Sequence, residues 1–218
     1  MAPEVNEPTP WLALLLLTAL ALALRAFHLN DVLWYDEIRT LQDSVRAPLW
    51  QIVTVYPGEH QHTFYSILAH LSIAAFGDHA WTLRLPSMLF GALTVPMLFL
   101  FAREFVSRAE ALLASLLLVV SYHHIWFSQS ARGYAILAFL TLASSWLLMR
   151  GLRRGRLSDF IWYAIVSALG IYTHVTMVFL VASHALLCVL PLGLPGLDAA
   201  RRERWKLPMI GFALAGLF

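Results

Sequence analysis

The stretch GALTVPMLFLFAREFVSRAEALLASLLLVV (Gly91–Val120) places two apolar runs on either side of a short block carrying Arg103 and Arg108. A helix needs roughly 20 apolar residues to cross a bilayer core of about 30 Å, and basic residues between spans collect on the cytoplasmic side. The stretch therefore reads as a membrane hairpin whose turn faces the cytoplasm. Working outward, six runs come close to span length: 11–29, 84–102, 109–127, 133–149, 158–172 and 174–194. A seventh begins near Leu207 and is still open at Phe218. It reads as an incomplete span of a longer protein truncated at its C-terminus.

Composition agrees. The 218 residues are 60% hydrophobic and 13% charged, about half the charged share of a soluble domain, and mean hydropathy is +0.69. The expected fold is an all-α polytopic membrane helix bundle, residues 11–218, behind a short tail, 1–10. That tail, MAPEVNEPTP, carries Glu4 and Glu7 and no Lys or Arg. It lacks the basic start of a secretory signal, so the first run reads as a retained anchor. A net charge of +2 gives no reason to expect nucleic acid as a partner, and the single Cys188 excludes an intrachain disulfide.

The run 63–76 differs from the spans. As a helix it reaches about 21 Å at 1.5 Å per residue, and His70 sits in its middle. Read as a helix lying in the interface, it lets all three basic blocks face the cytoplasm: AREFVSR, RGLRRGR (Arg150–Arg156) and RRERWK (Arg201–Lys206). Read as a short tilted span, it breaks that alternation. Residues 31–46 are expected to form a second juxtamembrane helix. The segments 30–83, 123–132 and about 172–174 then share the outer face.

That face collects Arg25, His28, Asp36, Glu37, Glu59, His60, His62, Arg84, His123, His124, Gln129, Arg132, Tyr134, Tyr172 and His174. Ionisable groups gathered at a membrane boundary are costly unless paired or hydrated, which makes a functional site the default reading. Plainer readings stand beside it. Asp36 could cap the helix that follows it, with Arg39 as a surface ion-pair partner. Arg25 and Arg84 could snorkel to lipid headgroups, the preferred reading for Arg84. Trp34, Tyr35, Trp81 and Trp126 fit an aromatic belt, and His123 and His124 fit interfacial filler. His184, deeper in the sixth run, is expected to bond a neighbouring helix. There is no glycine-rich phosphate loop, HExxH or CxxC pair. A carboxylate that accepts a hydroxyl proton and an arginine that holds a leaving phosphate suit transfer chemistry on a phosphate-bearing lipid.

Four stretches carry a resemblance. LRAFHLNDVLWYDEIRTLQ (Leu24–Gln42) resembles the end of the first span and first outer loop of multispan glycosyltransferases that use polyprenyl-phosphate sugars. These include the protein O-mannosyltransferases and the lipid A aminoarabinose transferases, the GT-C type. The stretch from His60 to Phe105, SYHHIWFSQSARGYAILAF (Ser121–Phe139) and YTH (Tyr172–His174) are similar to later parts of the same pattern, in the same order. The resemblance implies interfacial helices after the first span, a site at the outer face of a bacterial plasma membrane, and inverting transfer to a lipid, glycan or protein acceptor. It implies Asp36 as catalytic carboxylate with Glu37 as its partner, and Arg132 at the donor phosphate. Arg25, Tyr35, His60, His62, Gln129, Tyr134, Tyr172 and His174 are implied as substrate-binding residues. Glu59, His60 and His174, with His62 beside them, could share a divalent cation, zinc or magnesium; the alternative is a hydrogen-bonding role and no cofactor. Two departures stand out: HQHTF replaces the usual HPP pattern, and Ser130 stands where many relatives carry an acid. The competing function is a transporter or flippase for lipid-linked sugars, disfavoured because the charges cluster at one face and not at the midplane. A non-catalytic fragment or membrane subunit of such a system is the third reading.

Overall fold

The computed structural model describes residues 8–55, 58, 62–189 and 206–216. Among these every regular element is helical. They divide into two compact units: Met1–Phe139 with Tyr172–His174, and Leu140–Ile171 with Val175–Phe218.

The first unit contains α1 (Trp11–Ala26), α2 (Tyr35–Thr40) followed by a π-helical turn (Leu41–Val45), α3 (Leu49–Thr54), α4 (Thr63–Phe76), α5 (Ala80–Ala102), α6 (Arg108–Val119), α7 (Tyr122–Ser128) and the start of α8 (Tyr134–Arg154). Helix α5 is its axis. Pro86, inside α5, has no N–H to give the carbonyl of Thr82 four residues earlier. The Ser72 hydroxyl of α4 donates to that carbonyl instead, at 2.7 Å. Two turns away along α4, the Tyr65 hydroxyl donates to Leu83 O at 2.7 Å. Burial pushes this phenol well above its ordinary pKa, so it stays a neutral donor. The buried stripe Tyr65, Ala69 and Ser72 thus docks α4 on α5 through the carbonyls around the proline. Between the two helices Gly77 sits at φ 89°, a left-handed conformation that favours glycine at a helix end.

Helix α1 packs on α5 and α6 through a cluster of Ala21, Ala92, Val95 and Val119 and exposes Trp11, Leu12, Leu15 and Leu16, an apolar face suited to lipid. Helices α5 and α8 are long and apolar enough to cross a membrane. The expected span 109–127 is broken: α6 and α7 meet at 60° and reach span length only as a bent pair. Within the other expected runs lie shorter apolar helices of 16 residues (α1), 17 residues (α9, Leu157–Thr173) and 13 described residues (α10, Met177–Val189). Residues 63–76 form a helix as expected, whereas 31–46 is helical only from Tyr35 to Val45.

The second unit comprises the rest of α8, α9, α10 and α11 (Lys206–Ala215). Leu147, Leu148, Phe160, Tyr163 and Cys188 form its core, with Leu207 and Phe212 packed against them. His184 bonds neighbouring helices as expected: its Nε2 lies 3.2 Å from Ser145 Oγ and its Nδ1 3.3 Å from Tyr163 Oη. Arg150 pairs with the buried Asp159 at the α8–α9 turn.

Candidate active site

Helix α2 begins at Tyr35 because Glu37, its third residue, reaches back to accept the Trp34 N–H at 2.9 Å. A carboxylate there satisfies a free donor and sits well in the helix dipole. The capping role considered for Asp36 therefore falls to Glu37. Asp36 is left with its side chain 61% exposed.

Glu37 is buried and fully engaged. Its Oε1 accepts from Arg84 Nε at 2.9 Å and from Ala131 N at 2.6 Å, and its Oε2 accepts from Arg84 Nη2 at 2.6 Å. Arg84 does not snorkel, contrary to expectation; its side chain is 3% exposed. Besides this bidentate pair, Arg84 donates to the carbonyls of His28, Leu29, Asp31 and Val32. A loop without regular structure must find donors for its carbonyls, and one guanidinium on α5 supplies four of them. Arg84 and Glu37 thereby pin the first loop, α2 and the Ala131 turn to α5. Arg39 was considered as an ion-pair partner of Asp36; it pairs with Asp43 at 2.7 Å instead.

Asp36 faces Arg132. The distance from Arg132 Nη1 to Asp36 Oδ2 is 3.6 Å, longer than a hydrogen bond. Arg132 is held from behind: Ser87 Oγ donates to its carbonyl at 2.7 Å, and Nη2 reaches Tyr134 Oη at 3.4 Å. Its Nε and Nη1 are buried without a hydrogen-bond acceptor. A buried guanidinium with idle donors is costly, and Arg132 lines a cavity of ≈ 660 Å³ together with Trp34, Tyr35, Asp36, Glu37, Trp126, Phe127, Ser130 and Tyr134. The walls are largely aromatic, with the carboxylate and the guanidinium as the charged groups that meet across it.

Other expected site residues take different places. Arg25 is fully buried and does not line the cavity. It donates to the carbonyls of Ala21, Leu118 and Val119, to Ser128 Oγ, and to His124 Nδ1 at 2.8 Å. The α6–α7 break frees carbonyls at the end of α6, and the arginine of α1 answers them. Gln129 Nε2 donates to Phe27 O at 2.7 Å and closes the end of α1. Both side chains bond backbone carbonyls, and neither lines the cavity. Arg25→Met should leave those carbonyls unanswered at about 1–3 kcal/mol for each unsatisfied group, seen as a lower melting temperature in detergent.

Behind Tyr134 lie two imidazoles. His62 packs edge-on to Tyr134 at 5.1 Å and stacks on His174 at 5.3 Å between centroids. His62 Nδ1 is 2.9 Å from Thr173 O; a carbonyl can only accept, so Nδ1 carries a proton and donates it there. Gly133 makes this packing possible, because a Cβ there would lie 2.8 Å from Thr173 Cγ2 and 3.0 Å from His62 Nδ1. Gly133→Ala should cost about 1–3 kcal/mol of stability, read from a denaturation midpoint. Tyr172 is exposed and does not line the cavity. Glu59 and His60 lie outside the described residues. Among the described residues no group of three or more His, Cys, Asp or Glu side chains is placed to hold a metal.

The sequence reading missed the inward role of Arg84 and the part played by Phe127 in the cavity wall. The signal for Arg84 was its place two residues before Pro86, on a helix that had to bury one face against a polar loop.

A helical bundle with apolar helices of membrane-spanning length and an aspartate and an arginine facing each other across an aromatic cavity defines a membrane protein with a charged pocket. The chain belongs to the dolichyl-phosphate-mannose-protein mannosyltransferase family, whose model matches residues 62–216. That match includes Arg84, Arg132, Tyr134 and His174 and begins after the Asp36–Glu37 pair. The chain is also 25% identical over 117 residues to the Bacillus subtilis protein named "Putative mannosyltransferase YkcB". The matched region is 54% of this chain and 16% of the length of that relative.

Proposed function

We propose that the protein is an integral membrane glycosyltransferase that moves a sugar from a polyprenyl-phosphate donor to an acceptor hydroxyl on a lipid, glycan or protein. The cavity would open on the outer face of a bacterial plasma membrane. The observation that carries this reading is the exposed Asp36 carboxylate opposite Arg132, whose Nε and Nη1 have no acceptor of their own. Family membership supports it.

In this reading the donor phosphate takes the idle Nη1 donor of Arg132 on the side of Asp36, a charge-assisted contact from a guanidinium to a phosphate oxygen. Asp36 accepts the proton of the acceptor hydroxyl as that oxygen forms a bond to the anomeric carbon. The bond from the anomeric carbon to the phosphate oxygen breaks on the opposite side, with inversion. The phosphate leaves with the electron pair, and Arg132 balances the charge that develops on it. The aromatic walls exclude water, which would otherwise compete as acceptor.

A divalent metal is a separate proposal. His62 Nε2 and the neighbouring His174 are two nitrogen donors, short of the three protein ligands of a catalytic zinc; Glu59 and His60 would have to complete the set. No step above needs it.

The test is transfer by the purified full-length protein in lipid vesicles, with defined polyprenyl-phosphate sugars as donors. Sugar transfer that requires the phosphate link supports the reading. Export of a lipid-linked sugar across the vesicle without transfer would replace it with the flippase reading.

A further inference from the structure

We propose that Arg132 is shared in turn between Asp36 and the donor phosphate, so that donor binding releases Asp36 for the acceptor. This rests on the transferase reading above and adds an order of events to it.

Three observations carry the inference. The Asp36–Arg132 separation is 3.6 Å, inside the reach of an ion pair and outside that of a hydrogen bond. Among the described residues Asp36 has no other ionic partner. Arg132 is 7% exposed, and its buried Nη1, the nitrogen facing Asp36, lacks a hydrogen-bond acceptor, so the donor nearest Asp36 is also one left for a ligand. A phosphate oxygen that takes Nη1 must displace the carboxylate, because 3.6 Å leaves no room for both. Two anions side by side repel, and Asp36 is the mobile one, with its side chain mostly in solvent.

The arrangement has a chemical use. Donor arrival takes Arg132 from Asp36 and turns the carboxylate toward Trp34 and Tyr35, where an acceptor hydroxyl can enter. Donor therefore binds before acceptor.

The test measures binding of polyprenyl monophosphate to the full-length protein in lipid nanodiscs, with polyprenol as the phosphate-free control. Asp36→Asn should bind the phosphate about five- to tenfold tighter than wild type at low salt, an advantage that shrinks as salt screens the exposed carboxylate. Arg132→Gln should bind it poorly, and adding Asp36→Asn to that background should give no gain, because the two residues act through one contact. Arg132→Lys serves in its place if the glutamine variant fails to fold. Asp36→Asn binding equal to or weaker than wild type would overturn the proposal. So would an undiminished gain in the Arg132→Gln background, which would mean general charge repulsion without competition. Wild type that binds polyprenol as well as polyprenyl phosphate would sink the transferase reading together with it. Phosphate-dependent wild-type binding that Asp36→Asn leaves unchanged would sink the competition alone.

Discussion

Asp36→Asn should lower sugar transfer about 10²–10⁴-fold, the usual contribution of a general base, while the protein folds normally and still binds its donor. The substitution keeps size and shape and removes the charge. Folding should be untouched because Asp36 is 61% exposed and its one ionic contact is a long one; exposed pairs of that kind are worth little. The helix start is also safe, since the Trp34 N–H is answered by Glu37 and not by Asp36. That separates the two roles the sequence left open. A capping aspartate would be replaced by asparagine almost without loss, so a variant that retains activity within a few-fold would remove Asp36 from the chemistry. Single-turnover transfer at saturating donor is the measurement, because it reports the chemical step without product release.

The helical class and the family were legible from local signals. Apolar runs of known length, basic blocks between them and short polar motifs are all written within a few residues of chain. The bundle expectation therefore agrees with the described helices, and His184 bonds its neighbours as a lone polar residue in an apolar run should. What stayed hidden depends on contacts far apart in sequence. Arg25 and Arg84 look alike in the chain, each an arginine at the edge of an apolar run. Whether such a side chain snorkels or turns inward is decided by which carbonyls need a donor. For Arg25 those belong to the end of α6, 93 and 94 positions away; for Arg84 they belong to the loop before α2. Neither demand shows in hydropathy. The break between α6 and α7 was invisible for the same reason, because Val120 and Ser121 interrupt no apolar pattern. Gln129 was grouped with the site because it falls in the outer-face segment 123–132; its amide bonds the Phe27 carbonyl, a contact 102 positions away.

Glu37→Gln should act on the other side of this division: it should unfold the protein rather than merely disable it. Removing one member of a buried, hydrogen-bonded ion pair costs about 3–5 kcal/mol, because the remaining charge is left buried and uncompensated. Glu37 and Arg84 are each 3% exposed in their side chains, so water cannot take over the lost partner. The amide could still accept one of the hydrogen bonds now shared by Trp34 N, Ala131 N and two nitrogens of Arg84, but its NH₂ group would face donors. Loss at this point spreads, since Arg84 also gathers four loop carbonyls and the Ala131 turn leads directly into Arg132. The expected result is a much lower unfolding midpoint in detergent, earlier proteolysis of the first loop and weaker donor binding. Asp36→Asn should show none of the first two. Replacing both members with apolar residues should not rescue stability, as it does for isolated pairs, because the loop carbonyls would still lack their donor. If Glu37→Gln melted like wild type and lost only turnover, the carboxylate would belong with Asp36 in the chemistry, and the pinning role argued from its hydrogen bonds would be wrong.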